Sequence, residues 1–517
     1  MLSQTANQDE QTPTPIAEER QEPDTNTPDE GFSLRGLREW VFIAVICSSQ
    51  YFVQGSLGYV LVPLHVIGQT FGQGPEEAAS MAWHVGGFSL TVGTFILAAG
   101  KLGDIYGHKR LLCIGWAWFG IWSAVCGFAA FSSSSAFFSA ARVIQGIGAA
   151  LILPNALAIV GRVYPPGRKK QAIFAAFALT APLGCVTGGA IGAVFAQHIW
   201  WPGAIWLYAV GCLTMGVAAH MVIPTDSVTP TSTKFDWLGV CLGVGGLLLL
   251  NISWNQAPID GWSAPHVYTM LIVGFFLFVG FFFQEKRAGN PILDLSIFGS
   301  QAVLVLIVTG LGWSSFGVWI YYTFQFIQNL RNVSTLQSAA QFVSEGVSGI
   351  AAALATPSLM GKVPKNWLMV IASASFFVGC LLQALAPVHQ SYWLNTFWSF
   401  IIMAWGMDIS FPASTTILSD AVGPEHQGVS ASLINTVVNY SIVIGIGIAG
   451  TVEAQVVKSG AGDLLGYRAA LYSSTALAAL GLLVALINSF GIFSPSEKSE
   501  GENLDMRESA QDRQLES

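Results

Sequence analysis

Long apolar runs, parted by short polar stretches, occupy the chain from residue 40 to residue 492. A helix needs about 20 mostly apolar residues to cross a bilayer, because a backbone amide left unpaired in hydrocarbon finds no water. Fourteen runs are long enough: 40–66, 80–99, 111–131, 136–161, 172–197, 203–223, 237–253, 267–284, 302–326, 338–360, 367–386, 392–419, 428–456 and 468–492. The pattern predicts an all-α integral membrane protein. Its least regular part is the pair from 237 to 284, where the polar, Pro-containing stretch Asn251–Trp262 reads as a link between two spans.

Composition agrees. Of 517 residues, 52% are hydrophobic and 10% charged, against about 25% charged in soluble domains, and the mean hydropathy is +0.55. Basic residues then fix the orientation, since Lys and Arg collect in cytoplasmic loops. With the N-terminus inside, those loops hold Lys101, Lys109, Arg110, Arg162, Arg168, Lys169, Lys170, Lys234, Lys286, Arg287, Lys362 and Lys365, while the outer loops hold only Arg331, Lys458 and Arg468. Fourteen spans with both termini cytoplasmic follow.

The tails are of different material. Residues 1–38 and 494–517 are polar and read as disordered, and they carry much of the net charge of −8. No cleavable signal peptide precedes the first span, which must direct insertion itself. All seven cysteines lie in or beside spans, so no disulfide is expected. Of three Asn-X-Ser matches, at Asn251, Asn332 and Asn439, only Asn332 falls in an outer loop open to glycosylation.

One loop stands out for its charge. Between the second and third spans the chain reads Gly-Lys-Leu-Gly-Asp-Ile-Tyr-Gly-His-Lys-Arg, from Gly100 to Arg110. Gly100, Gly103 and Gly107 permit a sharp reversal and close helix approach. Asp104 can pair with Lys101, Lys109 or Arg110, or cap a neighbouring helix. Such a device can latch two helical bundles in one state and release them in another, although basic residues alone also collect in any short cytoplasmic loop.

Three ionisable residues stand out inside the spans: Arg142, Glu345 and Asp408. A charge in hydrocarbon costs several kcal/mol, so such groups face a cavity or a partner. Asp408 is a candidate proton carrier or an acid locked to helix-end donors; Glu345 lies nearer the outer end; Arg142 is a path residue or a fixed partner. Gln50 and Gln54 share one helix face and offer amides to a polar substrate or to neighbouring helices. Trp405, with Trp83, Trp313, Tyr321, Tyr322 and Phe324, belongs either to an amphiphilic pocket or to the lipid-facing surface.

Zinc spacing, a Gly-X-Ser-X-Gly turn and a Walker loop are all missing, so enzymatic and ATP-driven readings lack residues, and no cofactor or metal is expected. Energy must come from an ion or substrate gradient.

The Gly100–Arg110 order resembles the cytoplasmic motif between helices 2 and 3 of the major facilitator superfamily. Arg142-Val-Ile-Gln145-Gly146-Ile-Gly148-Ala-Ala resembles a helix 4 motif of the family, and Gly184-Cys185-Val-Thr-Gly188-Gly189 its helix 5 antiporter motif, with Cys185 in place of a proline. The fourteen-span count points to the drug:proton antiporter branch. Trp254–Trp262, Gly406–Pro412 and Asn435–Ser441 are similar to the fungal aminotriazole-resistance subgroup.

The resemblance implies two six-helix bundles, over 39–223 and 301–493, with two additional spans in a 224–300 linker. It implies an exporter of drugs, toxicants or secondary metabolites that rocks between two facings, with Arg142 and Asp408 in proton coupling. Gln50, Gln54, Gln145, Glu345 and Trp405 are then the candidate cavity residues. Small molecules, protons and lipid are the expected partners of a monomer at the plasma membrane, or alternatively at a vacuolar or other endomembrane, with no nucleic acid. Many members of the branch carry an acid in the first span, and Cys47–Gln54 has none. The alternatives are therefore a proton-independent carrier of a small polar solute such as borate or ammonium, and a non-transporting membrane sensor.

Overall fold

The computed structural model describes residues 36–74, 77–165, 167–224, 235–289, 291–293, 299–422 and 427–490. Apart from residues 36–38, the two tails lie outside the described residues, and so does Lys234. Among the described residues the order is α1 (Leu37–Leu61), α2 (Leu64–Thr70), α3 (Ala78–Tyr106), α4 (His108–Phe128), α5 (Ser135–Val163), α6 (Arg168–His198) and α7 (Pro202–Val222). The chain continues with α8 (Trp237–Asp260), α9 (Pro265–Glu285), α10 (Ser300–Gln325), α11 (Thr335–Met360), α12 (Lys365–Ala384), α13 (Asn395–Val422), α14 (Gln427–Lys458) and α15 (Asp463–Ser489).

All but α2 have 20 residues or more. Thirteen are long and apolar enough to cross a membrane. The other long helix, α11, carries Gln337, Ser338, Gln341, Ser344, Glu345 and Ser348 along its first half, which lowers its hydropathy while keeping its length.

Three boundaries differ from the sequence reading. The first span ends at Leu61 and is followed by α2, because Pro63 supplies no amide to continue the ladder. Most of the expected link Asn251–Trp262 is helical instead, since α8 runs on to Asp260. Its polar side chains find partners that a loop would have found in water: Ser253 donates to Val267 O at 2.7 Å and Asn255 to Asn251 O at 3.0 Å. The loop between the second and third spans shrinks to one residue. Gly107, at φ +95°, alone leaves helical geometry between α3 and α4, a conformation that Cβ-bearing residues rarely adopt.

Two bundles of six helices pack beside each other. In the first, α1 lies on α6, α3 and α4 on α5, and α4 on α7; in the second, α10 lies on α14, α11 and α12 on α13, and α12 on α15. Each of these four contacts of the first bundle has its counterpart in the second, the mark of an internal repeat. The bundles meet along α3–α14 and along α6–α11. The α8–α9 pair forms a hairpin whose α8 rests against α14 and α3.

Close backbone approach holds the pairs together. A Cβ on Gly188 would stand 2.3 Å from Gly55 O, and one on Gly445 2.3 Å from Ser314 O. Small residues at these crossings let α1 meet α6, and α10 meet α14, with main chains in contact. The ends of α5 and α13 each carry an ion pair to a neighbouring helix: Arg162 pairs with Asp104 of α3, and Asp420 with Lys365 of α12.

Candidate functional site

Hydrogen bonds between the two bundles gather at the end opposite the basic loops. The Tyr321 hydroxyl donates to Ala78 O at the start of α3. Gln328 donates to Val62 O at 2.7 Å, and its Oε1 lies 2.7 Å from His65 Nδ1. Gln197 at the foot of α6 accepts from Leu336 N at 3.0 Å. This end of the molecule is sealed. Burial pulls the His65 imidazole below its ordinary range against the opposing effect of Gln328, which suits a neutral ring donating through Nδ1.

Between the seal and the basic end, α6, α11 and α13 converge on two acids. Glu345 on α11 is 4% exposed, and its Oε2 has no hydrogen-bond partner among the described residues. One turn on, a Cβ at Gly349 would lie 3.1 Å from Asp408 Oδ2 of α13 and 2.9 Å from Pro182 Cβ of α6. Next to Glu345, a Cβ at Gly346 would lie 2.7 Å from Val186 Cγ2 of α6. The structure therefore brings Glu345, Asp408 and the antiporter-like segment of α6 together at the interface of the bundles. A buried carboxylate with no cation beside it is costly, and one proton removes that cost.

The rest of the α6 segment packs rather than lines. Gly184 backs on Tyr51 and Gly188 on Gly55 of α1, and Gly189 on Val62 just past its end. The proline missing at Cys185 has a neighbour three residues earlier: Pro182 lies inside α6, where it withdraws one amide from the helix ladder.

Arg142 is not brought to Asp408. It is fully buried within the first bundle, where Nε donates to His84 O at 3.0 Å and Nη1 to Ser56 Oγ at 3.0 Å. The third guanidinium nitrogen, Nη2, donates to Ser56 O at 3.1 Å. Its carbon stands 4.5 Å from the Phe88 ring centroid. Gln145, also fully buried, accepts from Arg142 and donates to Tyr59 Oη at 3.0 Å and Ser123 Oγ at 2.6 Å. None of these partners is an acid. Carbonyls, hydroxyls and ring faces hold the cation, and the cluster ties α1, α3, α4 and α5 into one body.

Gln50 and Gln54 are half-buried on α1, and no hydrogen bond engages either amide among the described residues. Trp405 is half-buried against the cluster around Leu368 and Ile409. Asn332, at φ +54°, is exposed in the turn before α11, two residues before Ser334, whose hydroxyl caps that helix.

At the basic end, Asp104 Oδ1 lies 3.3 Å from Arg162 and 3.3 Å from His108 Nε2. Both partners belong to the first bundle. Gly103 has no room for a Cβ beside Asn155 and His108, whose side chains hydrogen-bond at 2.7 Å. Gly100 faces Ser432 of α14 across the interface. Lys109 and Arg110 lie in the first turn of α4, where Arg110 is exposed.

The structure adds an acid that the sequence reading passed over. Glu453 of α14 is 7% exposed; an acid inside the apolar run 428–456 was the available signal. Tyr321 packs edge-on to Tyr322 at 5.1 Å. Gln325 donates to the Tyr321 hydroxyl at 3.2 Å, and Asn329 to Gln325 Oε1 at 2.8 Å and to Tyr467 Oη at 3.1 Å. This network runs from the interior of the second bundle to the sealed end.

Comparison with known proteins follows the same lines. Residues 43–447 match the profile of the Major Facilitator Superfamily. The chain is 55% identical over 482 residues to a major facilitator superfamily multidrug transporter, mdr3, of Aspergillus fumigatus, covering 93% of this chain and 84% of that one. It is 45% identical to the low affinity ammonium transporter of Saccharomyces cerevisiae, over 89% of this chain and 90% of that one. To the aminotriazole resistance protein of the same yeast it is 36% identical, over 87% and 83%.

Proposed function

The chain belongs to the major facilitator superfamily, and on that footing we propose that it exports small organic molecules in exchange for protons. It is a multi-pass membrane transporter of small molecules, not an enzyme. The observation that carries the antiport reading is the acid pair at α6, α11 and α13: Glu345 has an unpartnered oxygen, and Asp408 stands beside the same helix turn. A proton on that pair and a substrate in the space between bundles then compete for one conformational cycle.

All fourteen long helices span the membrane in this reading, with both termini in the cytoplasm of a plasma-membrane protein. The bundles are 39–223 and 301–493, joined by 224–300. The seal at the end poor in basic residues lies, in this reading, on the outer side of the membrane. The latch is Gly100, Gly103, Asp104, Gly107, Lys109 and Arg110; Gln50, Gln54 and Trp405 serve the substrate, while Arg142 and Gln145 act by holding the first bundle rigid. Likeness to multidrug transporters supports a drug or metabolite as cargo.

A second reading is favoured by one observation. The stretch Cys47–Gln54 of the first helix offers two unengaged amides, Gln50 and Gln54, and no acid, and one relative is a low affinity ammonium transporter. Proton-independent passage of a small polar solute fits that pair. Purified protein in proteoliposomes separates the two: accumulation of cargo that requires an imposed pH gradient, and is lost in Glu345→Gln, supports antiport. Equal rates with and without the gradient overturn it and support the facilitator.

A further inference from the structure

A cavity lies away from the acid pair, between the α8–α9 hairpin and the interface of the bundles. Its volume is about 460 Å³, within the range of small-molecule sites. Its walls come from five helices: Leu97 of α3, Val244 of α8, Phe278 of α9, Leu306 of α10 and Val437 of α14 are among them. Both bundles and the hairpin thus share one space.

Two hydrogen bonds border it. Toward the middle of the molecule, the Tyr440 hydroxyl donates to Leu247 O at 3.1 Å, tying α14 to α8. Toward the basic end, Leu293 N donates to Glu285 Oε2 at 3.0 Å, folding the segment after α9 across the cleft beside Ile292. What surrounds it is hydrocarbon: the outer face of α9 exposes Ile272, Phe275, Phe276 and Phe283, as a lipid-facing helix does.

The lining is apolar but for a few hydroxyls, and one of these is unspent. Thr436 Oγ1 is buried without a hydrogen-bond partner among the described residues. Apolar walls around a space of this size gain dispersion contacts from an apolar occupant, and a hydroxyl in an apolar wall wants an acceptor. We propose that the cleft is a binding site for one membrane lipid, an acyl chain lying between α8 and α14 with an ester carbonyl toward Thr436. Packing, not the hydrophobic effect, holds it there, because the alternative for the chain is other lipid. The site stands independently of any proton coupling.

The test uses the full chain reconstituted in phosphatidylcholine with dibrominated acyl chains, extracted in detergent and weighed by native mass spectrometry. Wild type is expected to retain one brominated lipid per chain. Val244→Phe fills the cleft from α8 and should lower retention at least tenfold, as should Val437→Phe from α14 if the first variant folds poorly. Thr436→Val should weaken it less. Undiminished retention in both Phe variants overturns the site. Retention of the apolar dye Nile red in place of brominated lipid overturns the lipid assignment, leaving an apolar cargo as occupant.

Discussion

The hydroxyl of Tyr322 donates a 2.6 Å hydrogen bond to Glu453 Oε2 inside the second bundle. Both side chains are buried, so neither has water as a substitute partner. Tyr322→Phe should destabilise the protein by about 1–3 kcal/mol, the cost of an orphaned buried acceptor. Glu453→Gln, which keeps an acceptor oxygen, should cost less. Thermal unfolding in detergent measures both, and an unchanged midpoint for Tyr322→Phe would show that the bond is replaced.

The seal should respond to acid. His65 is a neutral donor to Gln328 in this conformation, with its imidazole pulled down by burial. A group depressed in one conformation favours that conformation at high pH and withdraws support as pH falls below its ordinary value of 6.5. Acidifying the compartment at the sealed end should therefore favour opening. Labelling by an impermeant thiol reagent of a cysteine placed at Ala339, 3% exposed beside the seal, should rise below that pH relative to one at exposed Gln337, and His65→Gln should flatten the profile.

Gly188 sits where α6 touches α1 main chain to main chain. Gly188→Ala puts a methyl 2.3 Å from Gly55 O, with backbone on the receiving side and nothing flexible to yield. Overpacking of this kind costs about 1–3 kcal/mol. Gly161→Ala, with nothing within 4 Å of the added carbon, is the control. Equal melting of the two variants would sink the account of the α1–α6 contact.

Asp104 is 60% exposed and Arg162 49%, so their pair adds less than about 1 kcal/mol. Asp104→Asn should leave thermal stability almost unchanged. Turnover should nonetheless fall several-fold with substrate affinity retained, because the latch is proposed to weight one facing of the carrier over the other. A loss of affinity instead would place Asp104 in recognition.

Much of this architecture was legible in the run lengths and in the basic loops. The charged stretch Gly100–Arg110 marked the tightest reversal in the first bundle, though the pattern could not show that helix continues to Tyr106 and that Gly107 alone turns. Residues Glu345 and Asp408 were visible as acids in apolar runs. Their meeting was not, because it depends on the rotation of α11 and α13 and on Gly349 lying between them. Arg142 looked identical in sequence to a cavity residue; only its partners, the carbonyls of His84 and Ser56, show it enclosed. Asn251–Asp260 misled for the opposite reason. Its polarity suggested a loop, and the partners that make it a helix lie partly on α9, a separate segment.

The seal has an asymmetry with a genetic consequence. Tyr321 and Gln328 of the second bundle reach across to Ala78 O and Val62 O, which are main-chain atoms of the first. Substituting Ala78 or Val62 leaves those oxygens where they are. Variation that loosens or tightens these two contacts by exchanging a side chain must therefore arise on the donor side. Suppressors of a sluggish carrier should accumulate around residues 321–328 and spare the two positions that receive the bonds.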